Sequence, residues 1–352
     1  MTTITDEHDL VRQQYFECDG PVDVDIEWGA GTVEVRFADE PDSTGTGRST
    51  AGTDASDTDT TDTDTTGADT TGADTTDRDT NAAYATETTG GDHAEARPAI
   101  IVEVRPEQRP AWGLLGLLSW VGEQIGGQGG DLAAEAVRHT SIEARGNRLT
   151  VRSPRSMPLR GVPMSVVVHA PAGSSLHAKA GSAKVRVGGP ADRVHVDNGS
   201  GDVSVDRAAG PVQVKTGSGS VHLGPMLNGV TARTGSGDIE VTSVRGAGAM
   251  HSGSGDIWIG TVLGDEVTVR TGSGDLTVAD AAAGRLQLTT GSGDLRVGIR
   301  TGVLAEVDVL SGSGRARSDL PMTDEPPQVE PPVLSVRART GSGEAVISPA
   351  TA

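Results

Sequence analysis

Five aspartates stand three residues after a glycine in this sequence: Asp202, Asp238, Asp256, Asp275 and Asp294. The last four follow one another at intervals of 18 or 19 residues. Side chains repeated at a fixed interval line up when a chain coils. Asp238, Asp256, Asp275 and Asp294 are therefore expected to form an outward column of carboxylates about 5 Å apart. Such a column offers the hard oxygen donors that hold Ca²⁺. Two positions before the glycines stand Lys215, Arg233, His251 and Arg270, which can neutralise the acidic column from the other side of the turn. Each Asp can also accept hydrogen bonds from turn amides. The Gly-Ser-Gly-Asp unit is not the Gly-Gly-x-Gly-x-Asp nonapeptide of Ca²⁺-binding β-rolls. Structural use of the four aspartates is thus the expectation, and a Ca²⁺ site the alternative. The residue just before each glycine is Asn198, Thr216, Thr234, Ser252, Thr271, Thr290, Ser311 or Thr340, a polar ladder with the same structural explanation.

Catalytic chemistry finds less support. His195 and His222 alternate outward between valines, and no Ser, His and Asp set recurs at the spacing of a nucleophilic triad. Carbohydrate-cleaving β-helices bring carboxylates of neighbouring coils together. Those sites interrupt a repeat, whereas here the aspartates are the repeat. An acyltransferase helix built of hexapeptides places an aliphatic residue every six positions, but the apolar positions here sit two apart. No cofactor is implied. Nucleic acid is disfavoured by a net charge of −20 and by the lack of a basic patch interleaved with aromatics.

The elements that must position these residues are set by the repeat itself. Gly-Ser-Gly returns at Gly199, Gly217, Gly235, Gly253, Gly272 and Gly291. Apolar residues occupy four columns around it, five and three residues before the glycine and four and six after, for example Val212, Val214, Val221 and Leu223 around Gly217. Gly248 is the one gap. Period two with β-branched residues predicts strands, and the glycines predict a turn that a side chain would obstruct. A single sheet of such strands would leave an apolar face in water. Stacked coils enclose all four columns, so the fold class is all-β, a parallel β-solenoid with coils of about 18 residues. The low aromatic content, 2% of residues, suits a narrow interior of Val, Leu, Ile and Ala.

Four regions are expected. Residues 1–37 hold a first coil, because Val24, Ile26, Val33 and Val35 occupy the four columns around Gly29. Residues 38–97 form a Thr- and Asp-rich insertion with 15 acidic side chains against Arg48, Arg78 and Arg97, a net −12 of the total −20; it lacks the apolar content to fold. Residues 98–161 are expected to cap the solenoid. They contain a helical hairpin, with Leu114, Leu117, Leu118, Val121 and Ile125 at helical spacing, glycines at 126–130, and Asp131 as N-cap of a second helix through Leu132, Ala136 and Val137. Trp112 and Trp120 would be core. The alternative for this hairpin is a peripheral contact with a membrane or partner; its apolar run is too short to span a bilayer. A degenerate coil follows, with Ile142, Ala144, Leu149 and Val151 around a shortened turn at Gly146. Residues 162–352 form the regular solenoid. Its last turns at Gly312 and Gly341 are widely spaced, and a stiff Pro-rich loop from Pro326 leaves the coil and returns. The single cysteine, Cys18, excludes an intrachain disulfide, and the opening residues lack a basic region followed by an apolar run. A cytoplasmic protein is the expectation, with surface exposure still open.

Tandem Gly-Ser-Gly-Asp turns between Val-x-Val arms, at Gly199, Gly235, Gly253, Gly272 and Gly291, resemble the bacterial putative-adhesin family of unknown function. The resemblance covers residues 162–348 and extends to Val22 through Val35. It implies a β-solenoid and a non-catalytic interaction or scaffold module in cell-envelope physiology or its regulation, with a protein or envelope component as partner. The competing class is a polysaccharide-active β-helix enzyme.

Overall fold

Alternation along the strands sorts the side chains into those inside and those outside. The computed structural model describes residues 3–6, 11–38, 99–107, 129–321 and 333–350, all within one unit made of Met1–Glu40 and Arg97–Ala352. The acidic tract, the first predicted helix with Trp112 and Trp120, and the Pro-rich loop lie outside the described residues. Each regular coil has two arms separated by the Gly-Ser-Gly turn. The arms before the turn pair in parallel and in register, with Val194, Val212 and Val230 successive neighbours. The arms after the turn do the same, Val203 meeting Val221 and Val221 meeting Ile239. All four predicted columns are buried throughout the array. Burying a Val, Leu or Ile side chain contributes about 1.5–3 kcal/mol, and each coil supplies several. The sheet's core is therefore one continuous apolar column.

A fifth buried column lies outside the four that the repeat predicts: Ala208, Met226, Val244, Val262, Ala281 and Ile299, at the end of the second arm. At the Gly248 gap a Cβ would lie 3.3 Å from both methyls of Val267, its neighbour in the same column, and 3.4 Å from Val244 Cγ1 of the fifth, so these side chains already fill the space.

The turn glycines answer to crowding between coils. A Cβ on Gly217 would sit 2.4 Å from the carbonyl oxygen of Gly199, and one on Gly235 equally close to that of Gly217. Each turn thus rests on the backbone of the turn before it.

At both ends, chain order and stacking order part. The strand Asp23–Phe37 pairs along its length with Ser175–Ala191. Its other edge pairs with Arg148–Arg152 on one arm and Met164–Ala170 on the other. The first coil in sequence is therefore interior to the stack. Beyond it the sheet turns antiparallel. Ser141–Arg145 pairs with Arg148–Arg152, while Ala99–Pro106, Val11–Glu17 and Thr3–Asp6 extend successively from Met164–Ala170. The expected degenerate coil around Gly146 is thus a β-hairpin. Its two-residue turn, with Gly146 at φ 56°, reverses the chain and cannot carry it around a coil.

The C-terminal end is interleaved in the same way. Leu334–Ser342 pairs with Gly284–Ser292 on one edge and Ala305–Ser311 on the other, so the last coil in sequence is the penultimate one in space. Composition accounts for this. Leu334, Val336, Ala338, Ala345 and Ile347 are fully buried, whereas Ala305, Val307 and Val309 are half-buried and the arm Ala316–Ser318 is exposed. The more polar coil takes the solvent-facing position.

Helix α1 spans Gly129–Arg138. Asp131 therefore lies within its first turn and not at the N-cap. Ala136 and Val137 are buried in the common core, and Arg12 donates from Nη1 to the carbonyls of Thr140, at 2.6 Å, and Arg138, at 3.4 Å. No helix among the described residues is long and apolar enough to cross a membrane.

Candidate functional site

The aspartate column sits where the repeat places it, and its carboxylates face the next coil. Asp238 Oδ1 accepts from the amide of Asp256 at 2.9 Å, Asp256 Oδ1 from Asp275 at 2.7 Å, and Asp275 Oδ1 from Asp294 at 2.8 Å. Asp294 Oδ1 completes the series with the amide of Glu344 at 2.9 Å, and Asp202 Oδ1 begins it with that of Ser220 at 3.3 Å. Each aspartate thereby fixes the backbone of the following turn. The Glu344 amide is the main reason the Asp294 carboxyl ionises below the ordinary carboxylate range, and Arg296 adds to it.

The cations that reach the column are not those two residues before the glycines. Arg296 meets Oδ2 of Asp294 at 2.7 Å and of Asp275 at 3.7 Å, and Lys184 lies 3.9 Å from Asp202 Oδ2. Both stand on the arm after the turn, on the aspartates' own side. Lys215 instead approaches Asp197 Oδ1, at 4.0 Å. Among the described residues Arg233, His251 and Arg270 form no ion pair with the column.

The polar ladder before the glycines does more than terminate a strand. Apart from Ser311 these side chains are buried, and within the array their hydroxyls donate across to the preceding coil: Thr234 to Gly219 O at 3.1 Å, Ser252 to Gly237 O at 2.9 Å, Thr271 to Gly255 O at 2.9 Å, Thr290 to Gly274 O at 2.9 Å. Asn198 donates from Nδ2 to the carbonyls of Ala183 and Gly201 at 2.8 Å each. A buried carbonyl without a partner costs about 1–3 kcal/mol, so the hydroxyls close a real deficit at the turn.

Metal-ligating chemistry assembles elsewhere. Among the described residues, the group of three or more potential ligands that comes together is His177, His195 and Asp197, whose ligand atoms lie within 4.8 Å of one another. The Asp238, Asp256, Asp275 and Asp294 column does not form such a group. The signal was present in the sequence: His177 stands 18 residues before His195, one coil away. His222 is separate, its Nδ1 3.1 Å from Glu240 Oε2 on the outside of the second arm.

Among the described residues, a cavity of about 380 Å³ is lined by Glu27, Trp28, Gly29, Arg155, Arg160 and Lys179. Arg155 lies 2.6 Å from Glu27 Oε2, and this hydrogen bond is the first cause of the lowered Glu27 pKa. Another, of about 650 Å³, lies against Ile299, Val303, Leu304, Val307, Val309 and Leu320.

No curated protein matches the chain. Similar solved structures include a putative adhesin from Bacteroides fragilis, at 7% identity over 96% of each chain with a TM-score of 0.37. A putative cell adhesion protein from Clostridium sporogenes shows 6% identity over 96% of this chain and 98% of that one, TM-score 0.26. A putative adhesin from Parabacteroides merdae shows 10% identity over 96% and 95%, TM-score 0.29. The Toastrack DUF4097 family model matches residues 132–341, well over half of the sequence and the whole regular array, and the chain belongs to that family.

Proposed function

We propose that this protein is a non-catalytic, adhesin-like β-solenoid that serves as an interaction or scaffold module for a protein or cell-envelope component. One observation carries the reading. The carboxylates that could perform acid–base chemistry each hold the amide of the next coil, so they build a long regular surface. A general acid or base must reach its substrate's proton. An oxygen already bound to the backbone and flanked by identical neighbours is poorly placed for that. Outward positions, by contrast, vary freely from coil to coil, as in Ser204, His222, Glu240, Trp258, Thr277 and Arg296 along one register line. Such a line is a surface on which recognition can be written without disturbing the core.

The test is co-sedimentation of the full chain with purified cell-wall glycan and with envelope membranes, alongside an assay for new reducing ends. Saturable sedimentation with no reducing ends above the protein-free control is the expected result. Glycan cleavage that rises with protein concentration would establish the polysaccharide-active enzyme in its place.

A further inference from the structure

On the outer face of the first arm, parallel pairing sets Asp25 opposite His177, His177 opposite His195, and His195 opposite Gln213. The two imidazoles meet edge to face with ring centroids 4.9 Å apart. Asp197 lies two residues beyond His195 on the same strand. Alternation therefore sends both side chains outward, while Val194, Val196 and Asn198 point in. His195 Nε2 is 3.1 Å from Asp197 Oδ2, and its Nδ1 is 3.1 Å from Gln213 Oε1. His177 Nδ1 faces Asp25 Oδ1 at 3.8 Å.

His195 thus has an oxygen partner within hydrogen-bond distance of Nδ1, an arrangement that can hold the proton there and leave the Nε2 lone pair for a cation, whereas Asp25 stands beyond that distance from His177. In the tautomer that gives Nδ1–H to Gln213, the Nε2 lone pair of His195 and the carboxylate of Asp197 face each other, and a proton or a metal ion between them relieves the repulsion. The 3.1 Å separation is close to the roughly 3.3 Å between two ligands on a tetrahedral ion with bonds of about 2.0–2.1 Å. The rim is electrically mixed. Lys179 lies opposite Asp197 in register, Lys215 approaches Asp197 Oδ1 at 4.0 Å, and Arg148 approaches Asp25 Oδ2 at 3.6 Å.

We propose that His177, His195 and Asp197 bind one divalent transition-metal ion of the Zn²⁺ class, with Gln213 as a positioning residue for the His195 imidazole. The ligands are two imidazole nitrogens and one carboxylate oxygen, a set that suits Zn²⁺ and its neighbours and not the all-oxygen preference of Ca²⁺ or Mg²⁺. Remaining coordination positions go to water. The metal takes the place of the proton between His195 and Asp197, so binding weakens as the imidazoles are protonated. This site clasps two adjacent coils and is independent of the interaction role proposed above.

The experiment is calorimetric titration of the EDTA-treated full chain with Zn²⁺ at pH 7.5, repeated at pH 5.5, with Co²⁺ as a visible-absorption probe. A saturable site near one per chain is expected, at least tenfold weaker at pH 5.5, and Ca²⁺ should not compete. His177→Ala and His195→Ala should each weaken it tenfold or more. Gln213→Ala should weaken it about 10–100-fold, the range for lost orienting partners. His222→Ala should leave it unchanged. His195→Gln, of similar size, guards against a folding defect, and each variant's circular dichroism and metal-free melting temperature should match the parent's. Absence of saturable Zn²⁺ or Co²⁺ binding, or binding that survives His177→Ala/His195→Ala in a well-folded protein, would overturn the proposal.

Discussion

The regular array and the two ends of the stack are made from the same kind of arm, yet they obey different rules. Between Ser175 and Ile299 a residue's role follows from its column. Apolar columns are buried, hydroxyls bond the preceding turn, aspartates bond the following one, and strand order equals chain order. At the ends Asp23–Phe37 and Leu334–Ser342 slip inside the stack, and antiparallel strands or a polar coil take the outermost places. A periodic sequence specifies how coils contact each other. It does not specify which coil goes last, a choice made by where apolar area would otherwise meet water.

The sharpest test of this contrast changes register within the array. Removing residues 235–252 joins Thr234 to Gly253 and restores every column, so a soluble protein with a cooperative melt and unchanged strand signal in circular dichroism is expected. Removing only residues 235–243 ends one coil half-way and sends inward residues outward. That deletion should abolish the native spectrum. Equal behaviour of the two would mean that the coils do not depend on one another's register.

A smaller effect separates the turn glycines of the array from a glycine outside it. Gly235→Ala places a Cβ 2.4 Å from Gly217 O, a backbone atom that cannot step aside alone. A loss of about 1–3 kcal/mol in denaturant unfolding is expected. Gly161, which ends the short 3-10 helix Leu159–Gly161 before Met164–Ala170, has nothing within 4 Å of its would-be Cβ, and Gly161→Ala should change stability by less than about 0.5 kcal/mol. If both cost the same, the glycine ladder is not what keeps turns free of side chains.

Below that comes the hydroxyl ladder. Ser252 is completely buried and donates to Gly237 O at 2.9 Å, so Ser252→Ala strands that carbonyl at a cost of about 1–2 kcal/mol. Ser311, in the outermost coil, donates to Gly343 O at the same distance but is only half-buried. Water can replace it, and Ser311→Ala should cost clearly less. Thermal melts of the two variants make the comparison.

What the sequence disclosed and what it hid follow the same division. Val212, Val214, Val221 and Leu223 announced strand, turn and strand because period two survives wherever one face is buried. The fifth column, Met226 among its members, was hidden because it begins after a break in alternation at Gly224 and Pro225. The hairpin around Gly146 kept the apolar spacing of a coil, and only the two-residue turn distinguished them. His195 read as an isolated surface residue because the Gly-Ser-Gly-Asp unit does not include the column four positions before its glycine, where His177 also stands. Register, once known, puts them side by side.

The smallest effect concerns the aspartates. In Asp238→Asn/Asp256→Asn/Asp275→Asn/Asp294→Asn each side-chain oxygen still accepts from the next coil's amide, so only charge is removed. A lowering of melting temperature smaller than that of Ser252→Ala is expected, and it should shrink with added salt because these groups sit at the surface. The pH dependence has a definite sign. The Asp294 pKa is depressed by the Glu344 amide and by Arg296, so the folded state favours the ionised form. Its contribution is present above the unfolded value of about 3.9 and is lost as pH falls through the lower folded value. Melting temperatures of parent and variant should therefore differ at pH 7 and converge under acid. Millimolar Ca²⁺ should move both proteins no more than matched ionic strength does, since one oxygen of each aspartate already serves the backbone. A saturable, Ca²⁺-specific rise in the parent alone would show that the free oxygens act together on a cation, and the array would then carry chemistry as well as architecture.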